Sequence, residues 1–168
     1  MSQSFSPLRK FVSPEIIFGA GCRHNVANYA KTFGARKVLV VSDPGVIAAG
    51  WVADVEASLQ AQGIDYCLYT AVSPNPRVEE VMLGAEIYRQ NHCDVIVAVG
   101  GGSPMDCGKA IGIVVAHGRS ILEFEGVDMI RVPSPPLILI PTTAGTSADV
   151  SQFVIISNPV SYTHLTLP

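Results

Sequence analysis

The chain is short of charge: Asp, Glu, Lys and Arg make up 15% of its 168 residues, and 14 acids against 11 bases leave a net charge of −3. It has no cluster of Lys and Arg, so it lacks the electrostatic footprint that a phosphate backbone requires, and nucleic-acid binding is excluded as a general role. No apolar run approaches the roughly 18–20 residues of a membrane helix. The first ten residues lack the basic patch, apolar core and small-residue cleavage site of a secretion signal. The four cysteines, Cys22, Cys67, Cys93 and Cys107, form no Cys-x-x-Cys pair, which argues against a zinc site or a disulfide framework and for free thiols in a reducing cytoplasm. His24, His92, His117 and His164 show no metal spacing, and no Gly-x-Ser-x-Gly elbow is present.

What the chain does have is apolar content, 48% of its residues, enough for a packed core and too much for disorder. Its length suits one domain of about 150 residues. Strand-like and helix-like periodicities alternate. Strands are predicted at 37–42, 64–70, 94–99 and 136–141, with an edge strand at 15–18. Helices are predicted at 23–33, 48–62, 77–91 and 103–116. The runs at 95–99 and 137–140 lack polar alternation, as expected of strands buried on both faces. This order predicts an α/β fold, a Rossmann-like doubly wound and mainly parallel sheet with helices on both faces, whose ligands bind beyond the carboxyl ends of the strands.

Three of those strand ends carry unusual residues. Val99 is followed by Gly100, Gly101, Gly102, Ser103, Pro104, Met105 and Asp106, with Lys109 a turn later. Three glycines after a buried strand let the backbone turn tightly and approach a ligand, while Ser103 is expected to cap the helix and Pro104 to take its first position. Free amides and the helix dipole there suit a phosphate. The loop has neither the Gly-Lys-Ser/Thr of a P-loop nor the third glycine of Gly-x-Gly-x-x-Gly, so a capped turn without a ligand stays open. Asp43, before Pro44 and Gly45, places a carboxylate where it could accept from ribose hydroxyls and repel a 2′-phosphate, or simply form a turn. Thr142, Thr143, Thr146 and Ser147 surround Gly145 after the last strand, a loop rich in donors and acceptors.

These loops, in this order, resemble the amino-terminal half of the iron-containing (group III) alcohol dehydrogenases. The matching residues are Ile17-Phe18-Gly19-Ala20-Gly21, Val40-Val41-Ser42-Asp43-Pro44-Gly45, Pro74-Asn75-Pro76, Gly100 to Asp106 with Lys109, and Pro141-Thr142-Thr143-Ala144-Gly145-Thr146. The resemblance implies hydride transfer between a primary or secondary alcohol and NAD, with NADP disfavoured by Asp43, and small alcohols or aldehydes as substrates. It implies that Gly100, Gly101, Gly102 and Ser103 hold the pyrophosphate, that Asp43 meets the ribose, and that Thr142, Thr143, Thr146 and Ser147 line the cofactor cleft. Asp106 and Lys109 would lie on the cofactor side of their helix, and Phe153 would wall the substrate pocket.

The family's divalent metal, iron or zinc, polarises the alcohol oxygen. Its ligands belong to an all-helical half that has no counterpart here. Residues 1–159 are accordingly expected to be the dinucleotide-binding domain. Residues 160–168 do not align with the family and are read as a truncated frame or a cloning or sequencing scar. The full-length form is expected to be a cytoplasmic homo-oligomer, and the 168-residue chain alone to be inactive and prone to association. Ser147-Ala148-Asp149 stands where many members carry Gly-Ser-Glu, a change that bears on the alcohol preferred. Glycerol dehydrogenase, dehydroquinate synthase and a non-catalytic nucleotide-binding module are the alternatives.

Overall fold

The computed structural model describes residues 14–126, 129–151 and 153–158, together with the backbone of 163–167. The start of the expected domain, 1–13, its last residue, 159, and residues 160–162 and 168 of the expected tail lie outside the described residues. Six strands are present among them: β1 (Lys37–Val41), β2 (Asp65–Tyr69), β3 (Val95–Gly100), β4 (Leu137–Pro141), β5 (Val154–Asn158) and β6 (Thr163–Leu167). The first four form a parallel sheet in the order β2-β1-β3-β4, and β5 and β6 pair as a separate antiparallel hairpin.

The helices are α1 (Val26–Thr32), α2 (Pro44–Ala48), α3 (Trp51–Ala61), α4 (Val78–Gln90) and α5 (Gly102–His117). Side chains alternate across a strand, so the two faces of the sheet collect different residues. Val38, Val40, Val95, Val97 and Val99 face α1 and α3, with Val26, Ala30, Val52, Val55 and Leu59 completing that core. Leu39, Val41, Ile96 and Ala98 face the other way, onto Val81, Ala85, Cys107, Ile111 and Val114 of α4 and α5. The doubly wound sheet is therefore built by uninterrupted apolar strands sandwiched between amphipathic helices.

Helix α5 lies especially near the sheet. A Cβ at Gly108 would stand 3.0 Å from Ala98 Cβ, and one at Gly112 would stand 3.7 Å from Ile96 Cδ1. The amino-terminal ends of the strands are fastened by one carboxylate. Asp94 accepts from the Arg36 amide at 3.1 and 3.0 Å and from the Lys37 amide at 3.2 Å, tying the start of β1 to that of β3.

Outside the glycine loop, the structure departs from the sequence expectations at several points. Residues 15–18 form no strand: they run unpaired, with Phe18 99% exposed, because no described strand lies alongside them. The predicted turn at Asp43 begins a helix, α2, with Pro44 at its first position and Asp43 as its cap. The helix predicted at 48–62 starts only at Trp51, after Gly50 breaks the chain direction at φ 83°. Strand β4 is half-buried along Leu137–Ile140 rather than enclosed, since its outer edge is unpaired among the described residues.

Candidate functional site

The carboxyl ends of β1, β3 and β4 converge as the topology requires. Ser42, fully buried, donates from Oγ to the Val99 carbonyl at 2.8 Å and so ties the end of β1 to that of β3. This bond holds Asp43 on the rim. Asp43 Oδ1 accepts from the Val46 amide at 3.0 Å, and its Oδ2 makes no hydrogen bond among the described residues. Sequence reasoning placed Ser42 in a matching motif but gave it no role; its signal is a small hydroxyl residue closing a β-branched run.

At the end of β3, Gly100 has φ 151°, and a Cβ there would stand 2.6 Å from Pro104 Cγ, so the turn excludes any side chain. Helix α5 begins one residue earlier than expected. Gly101 is its extended N-cap, Gly102 its first residue, and Ser103 and Pro104 follow inside the first turn. Proline fits there because amides in that turn have no intrahelical partner. Ser103 is thus not the cap. Its Oγ accepts from the Asn75 amide at 3.2 Å, bringing the Pro74-Asn75-Pro76 loop against the helix start, with Asn75 itself at φ 56°.

The hydroxyl loop lies over the glycines. The Thr142 amide donates to the Gly100 carbonyl at 2.9 Å. A Cβ on Gly101 would be 3.2 Å from Thr143 Oγ1, and one on Gly102 would be 3.6 Å from Thr146 Cβ. Residues 142–147 are exposed, with Ser147 at φ 52° and its carbonyl accepting from the Val150 and Ser151 amides at 3.2 and 2.9 Å. Thr142, Thr143, Thr146 and the three glycines therefore meet at one rim, with the free amides of α5 between them. Such a rim can accept an anionic group through its amides and neighbouring hydroxyls through Thr and Ser.

Asp106 and Lys109 make their bonds elsewhere. Lys109 Nζ lies 3.6 Å from Asp106 Oδ1, both side chains about one-tenth exposed (11% and 12%). Lys109 donates to the Ser151 and Phe153 carbonyls at 3.0 and 3.4 Å, and Asp106 Oδ2 accepts from the Ile155 amide at 3.2 Å. The pair clamps the segment leading into β5 onto α5. Burial pushes the Asp106 carboxyl above its ordinary value, against the Ile155 bond and the Lys109 charge, and burial lowers the Lys109 ammonium against the pull of Asp106. Asp106 Oδ1 has no hydrogen-bond partner among the described residues. Phe153 is 53% exposed and does not itself line the main cavity, though Ser151 and Val154 beside it do.

That cavity, about 1100 Å³, runs along the outer side of β4 past Ile138, Ile140, Gly112, Lys109, Thr142 and Asp149. It touches the hydroxyl loop at Thr142 but does not reach Asp43 or the glycine loop. Its apolar walls mark an uncovered strand edge, whereas the polar rim carries the groups suited to a nucleotide. Among the described residues no three His, Cys, Asp or Glu side chains come together as metal ligands, so these residues do not fit the family's metal.

The family model for iron-containing alcohol dehydrogenases matches residues 13–167. The chain belongs to that family. Alcohol dehydrogenase 4 of Schizosaccharomyces pombe is 41% identical over 157 residues, covering 93% of this chain and 37% of that protein. A solved 1,3-propanediol oxidoreductase superposes with a TM-score of 0.91 at 32% identity, over 95% of this chain and 42% of that one. A sulfoacetaldehyde reductase from Bifidobacterium kashiwanohense, solved in complex with NAD+, gives 0.84 at 30% identity, over 96% and 43%. The chain thus spans about two-fifths of the length of these relatives. The match to this iron-containing alcohol dehydrogenase family extends past the motif resemblance into residues 160–167, where the backbone of β6 pairs with β5.

Proposed function

We propose that this chain is the dinucleotide-binding portion of an NAD-dependent alcohol dehydrogenase, one that moves hydride between a primary or secondary alcohol and the cofactor. The observation that carries the reading is the close approach of Thr143 to Gly101 at the open start of α5, a cradle that any Cβ would crowd. Residues 1–159 are assigned to this domain. When bound, NAD supplies the hydride acceptor. Gly100, Gly101, Gly102 and Ser103 would then hold the pyrophosphate against the helix amides. Asp43, with Oδ1 committed to Val46, would offer Oδ2 to a ribose hydroxyl and disfavour the extra phosphate of NADP. Thr142, Thr143, Thr146 and Ser147 would orient the remaining polar groups of the cofactor.

Asp106 and Lys109 would act on the cofactor side of α5 by fixing residues 151–155, and Phe153 would present its exposed ring to the substrate. The names of relatives that act on propanediol and sulfoacetaldehyde support a small alcohol or aldehyde as substrate. An iron or zinc ion belongs to this proposal only through residues other than those described here. A cytoplasmic homo-oligomer completes the reading.

Calorimetric titration of the chain with NAD, NADP and GTP tests it. NAD is expected to bind best, and Gly101→Val to weaken that binding at least about ten-fold, a cost near 1.4 kcal/mol. Equal affinity for GTP and NAD would overturn the assignment. Alcohol oxidation by residues 1–168 alone, insensitive to a chelator, would overturn the dependence on a metal.

A further inference from the structure

The sequence places Cys67 and Cys93 twenty-six positions apart, yet the fold brings their Sγ atoms to 3.4 Å. Cys67 is the central residue of β2, opposite Leu39 of β1, and is partly exposed. Cys93 lies in the turn between α4 and β3, 7% exposed, its amide bonded to the Tyr88 carbonyl. Both are free thiols, and both pack at the margin of the core that contains Leu39. A disulfide needs about 2.05 Å between sulfurs, so closure brings the two sulfurs together by roughly 1.4 Å, a movement shared between an edge strand and a turn.

The two thiols are unequal. Cys93 donating to the Cys67 sulfur lowers the Cys67 thiol to about 7 against the opposing effect of burial, with Lys37 adding its positive charge. The same partnership, with burial, pushes Cys93 up. One sulfur therefore belongs to a partly exposed residue and is the more acidic, and the other is sheltered beside it, the arrangement of an attacking and a resolving cysteine.

We propose that Cys67 and Cys93 form a hydroperoxide-reactive dithiol that closes into a disulfide joining β2 to the turn before β3. With hydrogen peroxide, the Cys67 thiolate attacks one oxygen, the O–O bond breaks, and Cys67 becomes a sulfenic acid while hydroxide leaves and takes a proton to give water; an alkyl hydroperoxide releases its alcohol instead. The Cys93 sulfur then attacks the sulfenic sulfur. The S–S bond forms, the S–O bond breaks, and the departing hydroxide carries off the Cys93 proton as a second water. Two thiols have lost two electrons and one peroxide has gained them, and a dithiol reductant reverses the change. This site stands independently of the cofactor reading.

The test treats the purified 168-residue chain with hydrogen peroxide, alkylates the remaining thiols, and digests it without reduction for mass spectrometry. The expected product is a Cys67–Cys93 cross-linked peptide that dithiothreitol removes, formed at least about ten-fold faster than any cross-link through Cys22, because the Cys93 sulfur stands 3.4 Å from that of Cys67. In Cys93→Ser the cross-link is expected to vanish and a dimedone-trapped sulfenic acid to accumulate at Cys67. Full alkylation of Cys67 and Cys93 once Cys22 has been oxidised would overturn the proposal. So would a cross-link through Cys22 or Cys107 as the main product, or a Cys67 that stays inert to peroxide in Cys93→Ser.

Discussion

Strands β3 and β4 lie side by side, nearly equal in length and apolar content, yet they are held in different ways. Every residue of β3 is buried, sandwiched between α5 on one face and the α1–α3 layer on the other. The residues of β4 are half-buried, and the chain beyond them returns to the body of the fold through Lys109 and Asp106. The centre of the molecule is stabilised by apolar area removed from water, and its flank by a charged clamp. Apolar content in a strand reports what could be buried. Burial itself depends on neighbours that arrive from elsewhere.

The same substitution made in each strand is the sharpest way to break this comparison. Ile96→Ala is expected to cost about 4 kcal/mol, the upper part of the range for a fully enclosed isoleucine, whereas Ile140→Ala should cost about 1–2 kcal/mol because it surrenders less apolar area. Equal losses in urea denaturation would show that the edge of β4 is covered in solution. Next in size is Lys109→Met, which strands Asp106 without its cation and is expected to cost about 3 kcal/mol. Hydrogen exchange should quicken at residues 151–155 in this variant. Loss of NAD binding with stability and exchange unchanged would instead place Lys109 in direct contact with the cofactor.

At the rim the effects are smaller. Asp43→Ala removes the cap of α2 and should cost about 1 kcal/mol while narrowing the preference for NAD over NADP. An unchanged preference in paired titrations would take Asp43 out of the site. The smallest effect is on the pH dependence of stability. Because burial raises Asp106 above 3.8, the native chain holds that proton more tightly than the unfolded chain does. Its contribution to stability is full below 3.8 and is lost as pH rises through the raised value. Denaturation midpoints should fall across that acidic window in the wild type and fall less in Asp106→Asn.

Local pattern carried the central strands, the faces of α3 and α4, and the meeting of the glycine and hydroxyl loops, since each depends on neighbours in sequence or on the rule that parallel strands open at their carboxyl ends. What it could not carry is long-range. Residues 15–18 have strand chemistry but no described strand to pair with. Ser103 has a cap's chemistry, yet the chain turns at Gly101 and leaves the serine to receive Asn75. Asp106 and Lys109 share a helix side near the glycines, but the partner that engages them is a segment more than forty positions away. The juxtaposition of Cys67 and Cys93 has the same origin, because it reaches across β1, which lies between β2 and β3, and no spacing motif announces it.

The Asp94 carboxylate that gathers the Arg36 and Lys37 amides gives the molecule a closed end and an open end. At the closed end, exchanging a residue spends stability and gains no chemistry. At the open end the backbone turns are set by glycine and by Ser42, while the hydroxyl side chains above them carry little of the packing. If the rim takes the cofactor proposed above, its ligand preference can drift there, one side chain at a time, without the sheet having to be rebuilt. A scaffold of this kind separates the residues on which inheritance must be strict from those on which it can experiment.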